Sequence, residues 1–327
     1  MSIPISILDR SHISHGSDAA TAIHWTIQRA RYAEELGFKR FWVSEHHGVP
    51  GVAGGSPAVL LAAIGQQTSR IRLGSGGVML PNHQPLIVAE QFGTLAALFP
   101  GRVDLGIGRS LGFTSSVRRA LRVETYDLER FESDLDELAS YLDGSAPVLA
   151  SPGAHADMSL FVLASAGSAD VAARLGLPVV FGGPKLLEPE AGSELADRYR
   201  VEFRPSRFAA EPSIILNCHA LAADTEAEAA DLASSEAWAY VNAQIQGAFL
   251  PLESPASIKT RDLTDRQHAR MTQMLAGSIT GTADQVATTI STLVTRTAAT
   301  EVLLSGSAFD PAALLHSDRL ISRSFGL

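Results

Sequence analysis

The chain has 327 residues, 46% of them hydrophobic and 19% charged, a composition ordinary for a globular protein large enough to bury most of its unfolded surface. Twenty-six Lys and Arg against 35 Asp and Glu give a net charge of −9, which argues against non-specific binding to nucleic acid or to an anionic membrane, both of which need a basic face. One cysteine, Cys218 in the apolar run Ile214–Cys218, excludes a disulfide within the chain and reads as a buried thiol in a reducing compartment. No basic segment leads into an apolar one at the N-terminus and no apolar run nears the ~20 residues of a membrane span, so a cytoplasmic location is expected.

Taken in order, Ile3 to Leu8 reads as a strand that enters a loop at Asp9-Arg10-Ser11. Apolar residues at helical spacing run from Ala19 to Leu36, and Gly37 stops them. Phe41-Trp42-Val43 is a short buried strand that ends in Glu45, His46 and His47, three ionisable groups that need partners if they are buried. Adjacent histidines on a strand face opposite ways, so only one of the two is expected at a given pocket. A Gly- and Pro-rich loop follows from Gly48 to Ser56, and Pro57 opens a helix to about Thr68. Ile71 to Leu80 is a strand carrying Gly74-Ser75-Gly76-Gly77, glycines that need a bend or a close approach to justify them.

Pro85 opens a helix to Phe99, and Arg102 to Ile107 is a strand that ends in Gly108-Arg109-Ser110. Tyr126 to Leu142 is helical with acids outward. Leu160 to Leu163 is a strand leading into the small-residue turn Ala164-Ser165-Ala166-Gly167-Ser168, with a helix from Ala169 to Leu175. Further strands are expected at Pro178 to Phe181, Ser213 to Leu221 and Glu301 to Ser305. Helices are expected at Glu188 to Phe203, Asp224 to Tyr240 and Thr282 to Val294, with a last one opened by Pro311. Gln244 to Asp265 has no clear period and reads as a loop. Strand and helix thus alternate about eight times without a linker, the pattern of a (β/α)₈ barrel in one domain spanning 1–327.

Ligands of such barrels bind at the carboxyl ends of the strands. Arg109, just past a strand, suits a phosphate or an ordinary surface ion pair. The turn at Ser165–Ser168 suits an anion at the start of the next helix, or a plain cap by Ser168. Gly106-Ile107-Gly108 with Gly112 is a poor dinucleotide fingerprint, because Leu111-Gly112-Phe113 does not begin a helix. The histidines lack metal-ligand spacing and no Gly-x-Ser-x-Gly elbow occurs, so neither a metal centre nor a serine hydrolase is expected.

Several stretches together resemble the bacterial luciferase-like flavin-dependent oxidoreductases, and most closely their luciferase-like monooxygenase branch. They are Phe41–His47, Ser69–His83, Ala89–Leu95 and Pro100–Arg109, with weaker matches at Ala172–Pro178, Ala222–Thr225 and Gly281–Val286. The resemblance implies a TIM barrel, commonly a homodimer, that takes reduced FMN from a separate flavin reductase and acts with O₂ on a small organic substrate. The nearest look-alikes include oxygenases that tailor aromatic polyketides in antibiotic biosynthesis. Residue by residue, it places His46 as the catalytic acid–base group and Gly76-Gly77 as a cis peptide beside the flavin ring. It makes Arg109 a phosphate ligand, with Ser165, Ala166, Gly167 and Ser168 as the phosphate turn. It also makes about 244–265 a mobile loop over the site. Ser110–Thr114, Gly108 and Ala164 depart from the family pattern and leave the substrate open. A deazaflavin (F420)-dependent reductase and a flavin-binding protein without turnover are the alternatives on the same barrel.

Overall fold

The computed structural model describes residues 3–183 and 186–327. Its strands are β1 (Ile5–Asp9), β2 (Arg40–Val43), β3 (Arg72–Ser75), β4 (Val78–Met79), β5 (Val103–Gly108), β6 (Met158–Ala164), β7 (Val179–Gly182), β8 (Ile214–Cys218), β9 (Ala220–Ala223), β10 (Ile279–Thr282) and β11 (Glu301–Leu304). The helices of the first half are α1 (Ala19–Glu35), α2 (Pro57–Gln67), α3 (Pro85–Leu98), α4 (Ser115–Ala120) and α5 (Leu128–Asp143). Then come α6 (Ala166–Arg174), α7 (Pro189–Glu202), α8 (Glu226–Gln246), α9 (Pro255–Lys259), α10 (Asp265–Ala276), α11 (Ala283–Thr297) and α12 (Pro311–Phe325).

All strand pairings are parallel, in the order β3-β2-β1-β11-β8-β7-β6-β5, and a β3–β5 pairing closes the ring. β3 and β4 are two pieces of one barrel position, so the ring is the expected eight-stranded barrel. The interruption falls at the cis peptide Gly76–Gly77, in the glycine run that the sequence marked as odd. Across this break the Ser75 hydroxyl donates to Gly106 O (2.8 Å) and accepts from Gly106 N–H (3.0 Å), replacing ladder bonds. A Cβ on Gly106 would lie 2.1 Å from Ser75 O, so only glycine lets the two backbones come this close.

Inward-facing residues form three layers along the barrel axis. The middle layer is apolar: Leu8, Trp42, Phe161, Val180, Ile215 and Leu303, with Trp42 edge-on to Phe161 at 5.2 Å. Beneath it, at the amino ends of the strands, lies an ionic plug. Arg40 joins Asp104 (2.8 Å) and Glu301 (2.6 Å), while Arg72 reaches Asp104, and Ser6 and Lys39 reach Glu301. Above it, the carboxyl ends open into the site. Outside the ring, apolar faces of the helices pack on the sheet, and Arg29 of α1 pairs with Asp9 of β1 and Asp318 of α12. Cys218 is buried, as expected, and burial pushes its thiol up to about 12.

The structure corrects four local expectations. The strand read as Ser213 to Leu221 breaks at His219 into β8 in the barrel and β9 outside it, where β9 pairs with β10. Gln244 to Asp265 is not uniformly irregular: α8 runs on to Gln246, Leu252 bridges to Ser14 and α9 follows. α10 was not expected, although Thr264 and Gln267 cap its start reciprocally. The helix after β6 begins at Ala166 rather than Ala169. Ser165 N–H donates to the Ser168 hydroxyl (2.9 Å), so Ser168 is the third residue of α6 and Ser165 its cap.

Candidate active site

The loop after β2 gathers the first functional groups. Glu45 is buried, and its Oε1 accepts from His47 Nε2 (2.6 Å) and His83 Nε2 (2.8 Å) while Oε2 accepts from Met79 N–H (2.9 Å). Burial pushes the Glu45 carboxyl up, but the bonds from His47 and His83 outweigh it and bring it down to about 2. Glu45 is thus an anion that ties the end of β2 to β4 and to the entrance of α3. The ligand atoms of Glu45, His47 and His83 lie within 4.8 Å of one another, a donor set that sequence spacing did not show. In the observed arrangement these atoms satisfy each other by hydrogen bonds.

His46 follows, with Nδ1 3.0 Å from Ser44 Oγ and its backbone N–H on Gly54 O. Burial, reinforced by the charge of Arg10, lowers its imidazole to about 4. At neutral pH it is therefore uncharged, with a free lone pair but weaker basicity than a group poised near 6.5. His46 and His47 both border the same cavity, contrary to the expectation from strand alternation. The strand has already ended at Val43, so the alternation no longer applies.

Two residues of β1's exit and two of α8 were not singled out by sequence. Arg10 pairs with Glu236 (2.5 Å), donates to Tyr240 Oη (2.8 Å) and reaches Ser305 O. His12 stacks on Phe249 at 5.3 Å, and Tyr240 meets the same ring edge-on at 5.1 Å. Burial holds His12 down at about 3, against the opposing charge of Glu236. The run Arg10-Ser11-His12 after a strand carried the signal, read only for β2 and β5.

Arg10, His12, Glu45, His46, His47 and Tyr240 border a cavity of about 410 Å³ that Gly76, Gly77 and Gly108 also line. Its walls are Val49, Val52, Met79, Leu111, Leu163 and Phe249. A second cavity of about 510 Å³ holds Tyr126, Ser165 and Ser168. The two share Arg109, Ser110, Leu111 and Leu163, so they form one trough along the carboxyl ends of β2 to β6. Arg109 makes one long bond, to Tyr126 O at 3.5 Å. Ser165 is exposed, whereas Ser168 is buried with its hydroxyl engaged in the cap. Gly167 lies in the first turn of α6; Ala166 opens that helix, and its side chain lies outside the described residues.

The trough has the two ends that a flavin mononucleotide needs. One presents a guanidinium, the exposed hydroxyl of Ser165 that also caps α6, and a helix N-terminus to a dianion. The other is bordered by Gly76, Gly77 and Gly108, which put no side chain into the cavity; a Cβ on Gly108 would meet nothing nearer than Val78 O at 3.8 Å. Comparison with known proteins identifies the family. A family model described as luciferase-like monooxygenase matches residues 3–144. A luciferase-like monooxygenase of Escherichia coli (strain K12) is 35% identical over 323 residues, 97% of this chain and 96% of that one.

The chain belongs to the luciferase-like monooxygenase family.

Among solved structures, apo-MsnO8 superposes with a TM-score of 0.88 at 32% identity, covering all of this chain and 98% of that one. The oxygenating constituent of 3,6-diketocamphane monooxygenase from Pseudomonas putida, in complex with FMN, shares the fold at a TM-score of 0.71 and 18% identity, covering 99% and 97%. The barrel and the family agree with what the motifs implied.

Proposed function

We propose that this protein is a monooxygenase that binds reduced FMN along the trough, with the phosphate at Arg109 and the ring over Gly76–Gly77. The observation that carries this reading is the joined cavity, with anion donors at one end and glycines beside His46 at the other. Reduced FMN, when bound, supplies the electrons that activate O₂. Arg109, Ser165 and the first N–H groups of α6 hold the phosphate, and Ser168 shapes that turn. Uncharged His46 accepts a proton at the reaction centre and returns it, while the apolar walls keep water out.

A separate reductase supplies the reduced FMN. In support, Gly108 is followed by an open stretch to Thr114, where a dinucleotide-binding turn would need a helix. The substrate is a small organic molecule, and the rings of Phe113, Tyr240 and Phe249 at the cavity suit an aromatic one, such as a polyketide in antibiotic biosynthesis. The stretch about 244–265 closes over the cavity through Phe249 and acts as its mobile cover. The chain forms one domain in the cytoplasm, where a lone buried thiol stays reduced. It forms a homodimer through α2 and α3.

Anaerobic titration with reduced FMN and reduced riboflavin tests the phosphate end. Arg109→Ala should weaken FMN about tenfold or more and leave riboflavin nearly unchanged, since it removes a charge-assisted contact to phosphate. Equal loss for both would refute the assignment. Binding of F420 in preference to FMN would redirect the reading to a deazaflavin reductase.

A further inference from the structure

A third compartment, of about 350 Å³, opens at the other side of the barrel mouth, over the ends of β7, β8 and β11. α8 and α10 roof it through Ala233, Ala237 and Met274. It meets the His46 cavity at Arg10 and Tyr240, whose hydrogen bond stands between the two. It also shares Gly183 and Asn217 with the Arg109 cavity. The trough proposed for FMN runs from Arg109 past Leu111 and Leu163 to Gly77, and leaves the rest of this space, from Arg10 to His219 and α8, unassigned.

Its polar atoms are left over in a specific way. Arg10 Nε, Asn217 Oδ1 and His219 Nδ1 are buried without a hydrogen-bond partner, although all three residues line the compartment. Buried polar atoms are rarely left so unless something else pairs with them. His219 Nε2 is committed to Glu236 Oε2 at 2.6 Å, and Glu236, fully buried, also neutralises Arg10. With Nε2–H of an uncharged His219 donating to Glu236, the set offers one N–H donor and two acceptors, and Arg10 is paired with Glu236. An incoming anion would face Glu236 and two acceptors, and an incoming cation would face Arg10.

We propose that this compartment is a recognition subsite for a neutral group that both donates and accepts hydrogen bonds, a carboxamide or a hydroxyl. An N–H or O–H of the ligand donates to His219 Nδ1 and Asn217 Oδ1, and its oxygen accepts from Arg10 Nε. Resting on the monooxygenase reading, the group is the polar end of the organic substrate, whose oxidised end reaches past Tyr240 to His46. Ala233 and Ala237, one turn apart on α8, leave the width for a ring.

Benzamide and benzoate are a matched pair of probes, alike in shape and differing in charge. Ligand-observed NMR titrations on the full-length protein, with and without saturating oxidised FMN, test the subsite. Benzamide should bind about tenfold tighter than benzoate, and FMN should not displace it. His219→Leu, which removes the acceptor at similar size, and Ala237→Phe, which fills the space, should each weaken benzamide several-fold. Equal binding of benzoate, displacement by FMN, or indifference to both substitutions would overturn the proposal. If FMN fails to bind while benzamide still binds in a His219-dependent way, the subsite stands and the flavin reading falls.

Discussion

At the scale of single residues, the site depends on groups held in unusual protonation states. His46 at about 4 and His12 at about 3 stay neutral in the fold, whereas the unfolded chain takes up protons on both near 6.5. Their folded values are depressed, so stability is fully present above about pH 6.5 and is lost as pH falls toward 4. The loss between pH 7 and 5 should be on the order of 2 kcal/mol per histidine, read from urea unfolding at each pH. His12→Phe, which keeps a ring against Phe249, should remove about half of that dependence; an unchanged slope would contradict the assignment. His46→Ala should lower turnover about a hundredfold while FMN affinity holds, and the wild-type turnover profile should show no break near pH 6.5. That His46 and Arg109 border the cavity was legible because each follows a strand, and Gly76-Gly77 stood out as glycines inside one. Tyr240 and Glu236 were not, because only folding brings α8 to the end of β1, some 230 residues away in the chain. His219 was hidden inside a run that read as one continuous strand.

At the scale of elements, the barrel is stiffened from below by charges that its alternating pattern did not advertise. Arg40 is the buried cation that Asp104 and Glu301 share, so Arg40→Leu leaves Asp104 to Arg72 and Trp42 at one side of the interior and Glu301 to Lys39 and Ser6 at the other. The expected cost is about 3–5 kcal/mol, seen as a lower urea midpoint with the same transition slope. A loss under about 1 kcal/mol would mean that the plug is not a cooperative unit. Most barrel strands and their helices were readable from apolar runs closed by Gly and Pro. α10 was missed although Met271, Met274 and Leu275 sit at helical spacing, because the irregular stretch before it masked the period. The early start of α6 was missed because a Ser-Ala-Gly-Ser run reads as a turn until Ser168 is seen to reach back to Ser165.

At the scale of the whole molecule, two neighbouring helices stand apart. α2 has no charged residue and α3 only Glu90, yet Val59 (71%), Ile87 (44%) and Leu98 (54%) are exposed on them. The homodimer proposed above would cover this face. Light scattering should show a dimer at micromolar concentration, and Val59→Glu with Ile87→Glu should give monomers; a wild-type monomer would contradict it. The closed barrel and the family were both legible in the sequence, whereas the division of its mouth into the trough between Arg109 and His46 and a polar compartment appeared only with the side chains placed. The central claim is that the trough holds reduced FMN for reaction with O₂. It is tested most directly by mixing the protein, loaded anaerobically with reduced FMN, with oxygen in a stopped-flow spectrometer. The account predicts that return to oxidised FMN differs clearly in rate from that of free flavin, and that Arg109→Ala restores the free rate at the same FMN concentration. Reoxidation at the free-flavin rate by wild-type protein would contradict it.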